Sequence, residues 1–321
     1  MELSLADVFA ARKRVSPYIR RTPLLRIPAL DKAMGCEVYI KPENLQYTGS
    51  FKLRGAASRL TLLTNEEKIR GVITASSGNH AKALAYAAQK LCIKALIVMP
   101  TNCNPAKLAG VRSYGAKVLF EGQTSSDRNA KARQLAAEDG YVLVHSHADF
   151  YVKAGQGTIA LEVLEDCPDL NAIVSPVGGG GLVSGVAIVA KTLNPAIRVV
   201  GAEPKNAARY AASRAAAHPE NIKIFPTRAD GTRCDHADPQ NFLTIEKYVD
   251  DLVSAEEKDI RRAMKLVIEE AKIVAEPSSV LGIASAMNGS LRFNKNDKVC
   301  FIVTGGNNDP NLLSQVLTEH I

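Results

Sequence analysis

Residues 71–100, GVITASSGNHAKALAYAAQKLCIKALIVMP, read as strand, helix, strand. GVITAS is short, apolar and β-branched, a Ser-Ser-Gly turn follows, AKALAYAAQ carries a helical pattern, and KALIVMP is a second short apolar run. A helical crossover of this kind is what two parallel strands require. The alternation continues through AKVLF (116–120), YVLVH (141–145), AIVSPVG (172–178), IRVVGAEP (197–204), VDDLVS (249–254) and KVCFIVTGG (298–306). The expected class is therefore α/β, with two open, mostly parallel twisted sheets covered by helices. Stretches 125–139 and 180–193 read as amphipathic helices. Ser254 with Glu257 reads as a capping box before a helix of about sixteen residues, and 226–241 reads as a polar loop.

A chain of 321 residues exceeds the size at which single cores stop growing, so two domains are expected. Residues 63–148 would form a small domain, and 1–62 plus 149–321 a large one. The last strand lies close to the end of the sequence, and no appended regulatory domain is expected. Hydrophobic residues at 46% and charged residues at 23% are ordinary for a globular protein. The net charge is +7, but Lys and Arg are dispersed and aromatics make up only 5% with no Trp. Nucleic-acid binding is not expected. No apolar run has the roughly 20 residues needed to span a bilayer, and none follows Met1 as a secretory segment would. Six scattered cysteines without a C-x-x-C pair fit reduced thiols in the cytoplasm.

Four segments carry chemistry. In Ser50-Phe51-Lys52-Leu53-Arg54-Gly55-Ala56 a lysine lies between an aromatic residue and a glycine at a helix start. Burial or a nearby cation can deprotonate such an amine for attack on a carbonyl. Ser76-Ser77-Gly78-Asn79-His80 places hydroxyls and free N–H groups at a helix N-terminus, suited to a carboxylate. An ordinary N-cap is the plain alternative there, and His80 reads as a packing histidine. Gly178 to Gly181, between a strand and a helix, lets successive N–H groups cradle a phosphate. It is neither the dinucleotide fingerprint nor a P-loop. Thr304-Gly305-Gly306-Asn307 ends a strand, where ligands sit in open α/β sheets. Together these segments suit an amino acid joined to a phosphorylated aldehyde.

SFKLRGA, SSGNH, GGGG and TGGN, in this order, resemble the fold-type II pyridoxal-phosphate enzymes of the serine racemase and threonine dehydratase family, whose fold is tryptophan synthase β-like. The resemblance covers nearly the whole chain, including PYIRRTPL (17–24), KPENLQYTG (41–49), AGQGTIALEV (154–163), ADG (229–231) and AEPSS (275–279). It implies that Lys52 carries pyridoxal 5'-phosphate as a Schiff base and acts as a base, with Phe51 packed near the ring. It implies Asn79 at the ring hydroxyl, Gly178, Gly179, Gly180 and Gly181 at the phosphate, Thr304 at the pyridine nitrogen and Gly231 close to the ring. Ser76, Ser77 and Asn79 would hold the substrate carboxylate, with Ser77 facing Lys52 from the opposite side. The implied activity is an ammonia-lyase (dehydratase) acting on a β-hydroxy amino acid such as L-serine or L-threonine. The alternative is a serine or aspartate racemase using Lys52 and Ser77 as opposed bases. β-Replacement and a non-catalytic amino-acid sensor are lesser readings. A homodimer is implied by the family alone.

Departures mark the substrate and cation regions. Relatives activated by a divalent cation carry an acidic residue six positions after the Glu of AEP. Glu203 and Ala207 are retained here, but Arg209 stands at that position. An arginine cannot coordinate a metal, which argues against Mg2+ and for Arg209, or a neighbouring cation, as the partner of Glu203. Ala75 stands where serine racemases often carry histidine, and Thr232-Arg233-Cys234-Asp235 follows ADG. His145 and His147 flank Ser146 in a segment read as a solvated loop. Arg128, Arg233 or His147 could bind a second polar group on the substrate.

Overall fold

The eight apolar runs all become parallel strands in the computed structural model, which describes residues 2–318. Met1 and 319–321, at the ends of the segment expected to form the large domain, lie outside the described residues. The strands are β1 (Leu25–Arg26), β2 (Glu37–Pro42), β3 (Val72–Ala75), β4 (Ala95–Met99), β5 (Lys117–Phe120), β6 (Val142–Leu143), β7 (Ala172–Pro176), β8 (Arg198–Pro204), β9 (Asp251–Ala255) and β10 (Lys298–Val303). A six-stranded sheet runs β1-β2-β10-β7-β8-β9, and a four-stranded sheet β5-β4-β3-β6. Among the described residues only β1 is an antiparallel strand, paired to β2.

Both faces of each sheet are buried, so successive residues of one strand enter different cores. Ile173, Val199 and Ile302 join the cluster under the helices Leu5–Val15, Phe150–Asp166, Gly181–Leu193 and Pro239–Tyr248. Their neighbours Val174, Val200 and Val303 join the opposite cluster, under Glu257–Ala271 and Leu281–Met287. The smaller sheet divides likewise: Val72 and Ile97 face Leu84 of the helix Asn79–Lys90, while Ile73 and Val98 face Ala132.

Two local expectations are corrected. Ser254 is a residue of β9, and the following helix, Glu257–Ala271, has Glu256 as its N-cap with no side-chain cap bond. Pairing of β9 with β8 takes Ser254 into the ladder opposite Glu203. The helix Gly181–Leu193 is not amphipathic, because every residue from Gly181 to Ala190 is buried between β7 and the helix Phe150–Asp166. The 226–241 loop holds a short 3-10 turn at Asp230–Thr232 and gives way to a helix at Pro239.

The helix Lys52–Leu60 joins the two sheets. Leu53, Ala56 and Leu60 pack into the core of the smaller sheet. Arg54 turns the other way, fully buried, and ion-pairs with Glu43 (2.8 Å) and Glu162 (2.7 Å). Glu162 also pairs with buried Lys41 at 2.7 Å, while Thr22 donates to Glu43 and Thr158 accepts from Arg54. Two cations thus balance two carboxylates inside the protein. Replacing Arg54 by Met removes one cation and leaves a buried carboxylate uncompensated. The expected loss is about 3–5 kcal/mol, read as a lower urea midpoint at unchanged slope.

Candidate active site

In the six-stranded sheet the chain leaves β7 toward β8, while β10 lies on the other side of β7. In the smaller sheet β3 leads to β4, with β6 on its other side. A crevice opens at the carboxyl ends of strands where the order reverses in this way. Here both crevices face one cavity of about 1310 Å³, roomier than the roughly 300–1,000 Å³ usual for a small-molecule site. Phe51 and Lys52 line it together with Ser76, Ser77 and Asn79. Gly178 to Gly181, Gly231 and Thr304 also line its wall, and Arg128 and His147 complete the set expected from the sequence. Glu203, Ala207 and Arg209 are buried behind that wall and do not line it.

Lys52 is aimed by the strand beside it. The Phe51 N–H donates to the Thr304 carbonyl at 3.0 Å, and Ser50 bridges Gly305, so the helix starts at the end of β10. Lys52 Nζ donates to the Ser146 carbonyl at 3.0 Å and lies 5.0 Å from the centre of the Phe51 ring. Desolvation pulls its pKa down to about 8, opposed by Cys234 and Glu276 nearby.

The tetraglycine turn follows β7. Gly180 caps the helix Gly181–Leu193 at φ +85° with no side-chain partner, leaving the first-turn N–H groups open to an anion. A Cβ at Gly179 would stand 2.1 Å from the His147 ring, at Gly180 2.6 Å from Tyr210 Oη, and at Gly181 2.6 Å from the His147 carbonyl. Side chains are therefore excluded from the cradle.

Elsewhere along the cavity Asn79 Nδ2 donates to Glu276 Oε1, and Asn79 Oδ1 accepts from Asn307 Nδ2, each at 2.7 Å. Burial, with Asp230 nearby, pushes the Glu276 carboxyl up to about 7. The Thr304 and Ser279 hydroxyls lie 2.9 Å apart, and Ser279 Oγ accepts the Gly305 N–H. Gly231 is open to the cavity, and Arg128 donates to Gln123 O and Ser125 Oγ while its buried Nε has no acceptor.

The histidines correct an expectation. His145 and His147 are part-buried, with ring centres 4.5 Å apart edge to face, rather than solvated. Desolvation lowers the pKa of both, so both are neutral near pH 7. His147 lies against the tetraglycine turn. His80 Nε2 donates to the Val144 carbonyl at 3.2 Å, and burial holds its pKa down at about 3.

No group of three or more His, Cys, Asp or Glu side chains that could hold a metal ion occurs among the described residues. The region of Glu203 and Ala207 does not fit a divalent cation, because the Arg209 guanidinium fills it. Arg209 Nη1 is 3.8 Å from Glu203 Oε1 and donates to the Ala207 carbonyl at 3.0 Å.

A family model described as pyridoxal-phosphate dependent enzyme matches residues 15–305. The chain belongs to this family. Among curated relatives, the L-threonine ammonia-lyase of Thermotoga maritima is 39% identical over 99% of this chain and 79% of its own length. The catabolic L-threonine dehydratase of Staphylococcus aureus is 38% identical over 99% of this chain and 92% of its own. Of solved structures, maize serine racemase superposes with a TM-score of 0.92 at 35% identity, covering 100% of this chain and 98% of that one. A pyridoxal 5'-phosphate-dependent aspartate racemase gives 0.90 at 32% identity, covering 97% and 98%.

The residues present fit pyridoxal phosphate. An uncapped helix N-terminus without side chains suits its phosphate, and a desolvated amine suits its aldehyde. Glu276 and Ser279 lie within AEPSS and Asn307 within TGGN, but the sequence reading assigned none of them a role. Tyr210 and Asn241, which bond the Gly179 carbonyl, had no motif at all. Only a neutral amine attacks an aldehyde, and protonation blocks Lys52 below its pKa. Pyridoxal phosphate uptake by the apo-protein should therefore accelerate with pH through about 8 rather than 10.5, as followed by visible absorbance in stopped flow.

Proposed function

We propose that this pyridoxal-phosphate enzyme is an ammonia-lyase that dehydrates a small β-hydroxy amino acid, serine or threonine, to a 2-oxo acid and ammonia. The observation that carries the reading is the amine of Lys52, lowered to about 8, in the same cavity as the hydroxyls of Ser76 and Ser77. Such an amine can both accept and return a proton near neutral pH. The named activities of the Thermotoga and Staphylococcus relatives support the lyase over other chemistries.

Pyridoxal phosphate, when bound, supplies an aldehyde for amines and a ring that accepts electrons from the substrate's Cα. The N–H groups of Gly178 to Gly181 would hold its phosphate, Gly231 and Phe51 would pack near the ring, Asn79 would bond the ring hydroxyl, and Thr304 would bond the ring nitrogen. Thr304 would offer the ring nitrogen a neutral hydroxyl, which does not enforce protonation as a carboxylate partner would. Ser76, Ser77 and Asn79 receive the substrate carboxylate, and Lys52 removes the α-proton. Arg128 and His147 stand where they can meet the remainder of the substrate. The six free thiols fit a reducing cytoplasm, and a homodimer completes the proposal.

A racemase is the second reading, favoured by Ser77 in the same cavity as Lys52 and by the serine and aspartate racemase structures. Incubation with L-serine and L-threonine, quantifying 2-oxo acid and both amino-acid enantiomers, separates the two. The expected result is 2-oxo acid in excess, and an excess of D-amino acid would reverse the assignment. Lys52→Ala should lower kcat by roughly 10²–10⁴-fold. Ser77→Ala should suppress formation of the D-enantiomer more than elimination.

A further inference from the structure

Arg209 is fully buried, yet its nearest carboxylate, Glu203, is 3.8 Å away and is itself occupied by the N–H groups of Tyr210 (3.1 Å) and Ala211 (2.9 Å). The guanidinium donates instead to backbone carbonyls. Nη1 reaches Ala207 O at 3.0 Å, Thr232 O at 3.1 Å and Cys234 O at 3.3 Å. Nη2 reaches Val177 O at 3.1 Å and also Gly178 O. Five carbonyl dipoles and one carboxylate therefore point their negative ends at one buried spot. Without a positive charge at its centre such a cage would repel itself.

The direction of these bonds matters for the cofactor cradle. In a trans peptide the C=O and the following N–H point opposite ways, and no cis peptide occurs among the described residues. Arg209 draws the carbonyls of residues 177 and 178 to one side, and Tyr210 Oη and Asn241 Nδ2 draw that of Gly179. The N–H groups of Gly178 and Gly179 are consequently turned away from the cage, and that of Gly180 away from Tyr210 Oη and Asn241 Nδ2. The carbonyls of Thr232 and Cys234 tie the Gly231 turn to the same cation.

We infer that Arg209 is a resident cation: a positioning residue that orients the tetraglycine N–H groups and joins them to the Gly231 turn, making bound divalent metal unnecessary. A free ion needs anionic oxygen ligands and is lost on chelation. A guanidinium is held by the chain and stays charged at any working pH.

The holoenzyme tests this first without mutation. EDTA followed by Mg2+ or Ca2+ should leave turnover and pyridoxal phosphate affinity unchanged. Inactivation by EDTA with recovery on Mg2+ overturns the inference. Arg209→Ala should bind pyridoxal phosphate at least about tenfold more weakly, the size of one lost charged hydrogen bond, with partial rescue by methylguanidinium. Arg209→Lys should lose less affinity than Arg209→Ala. Arg209→Asp should make affinity depend on Mg2+ or Ca2+, a response that general loosening of the fold does not produce. Wild-type cofactor affinity in Arg209→Ala, with no effect of methylguanidinium, overturns the inference even if the enzyme lacks the proposed lyase activity, because the readout is cofactor binding.

Discussion

The buried charge network of Arg54, Glu43, Glu162 and Lys41 is the constraint on which the site depends. It fixes the helix Lys52–Leu60 against the end of β2 and the helix Phe150–Asp166, with two positive and two negative groups closing on one another away from water. Buried ion pairs add little net stability, but they tolerate few alternative arrangements. Because Arg54 faces inward, Lys52, two residues earlier, is left at the cavity wall. The Phe51 bond to Thr304 then sets the amine beside the end of β10. Packing of Leu53 and Leu60 under the smaller sheet links that geometry to the wall carrying Ser76 to Asn79. The reactive group is thus held from both sheets.

The remaining geometry follows from strand order. Each sheet reverses at one place, and the four strands at those reversals end in the segments that carry hydroxyls, glycines and histidines. Recognition is assigned mainly to backbone N–H groups and short polar side chains, and charge at the site is tempered by burial. Lys52 is made less basic and Glu276 less acidic, while His80, His145 and His147 are held neutral.

The parallel strands were legible because burial on both faces writes continuous apolar runs into a chain. The two-residue β1 carries no such run, and Ser254 matched a cap pattern that pairing with β8 overrode. The helix after the tetraglycine turn was harder to judge, since a fully buried helix has no polar face to set its period. Within the site, Lys52, Ser76, Ser77, Asn79, the four glycines and Thr304 stood out because unusual residue types sit at element boundaries. Glu276, Tyr210 and Asn241 did not, because each acts through a partner far away in the chain. The carbonyls around Arg209 leave no trace in residue type, so the exchanged residue was visible while the cage around it was not.

The place of β10 in the larger sheet bears on how the protein is made. The smaller sheet is complete once Leu143 has left the ribosome, whereas β10 is inserted last, between β2 and β7. Until Lys298–Val303 emerges, the larger sheet stays in two pieces, each with an open hydrogen-bonding edge beside the gap. A nascent or stalled chain therefore has a finished small sheet, two sticky margins and no complete cavity. Such edges invite pairing with other chains, and the cofactor can stabilise only a chain in which β10 is already in place.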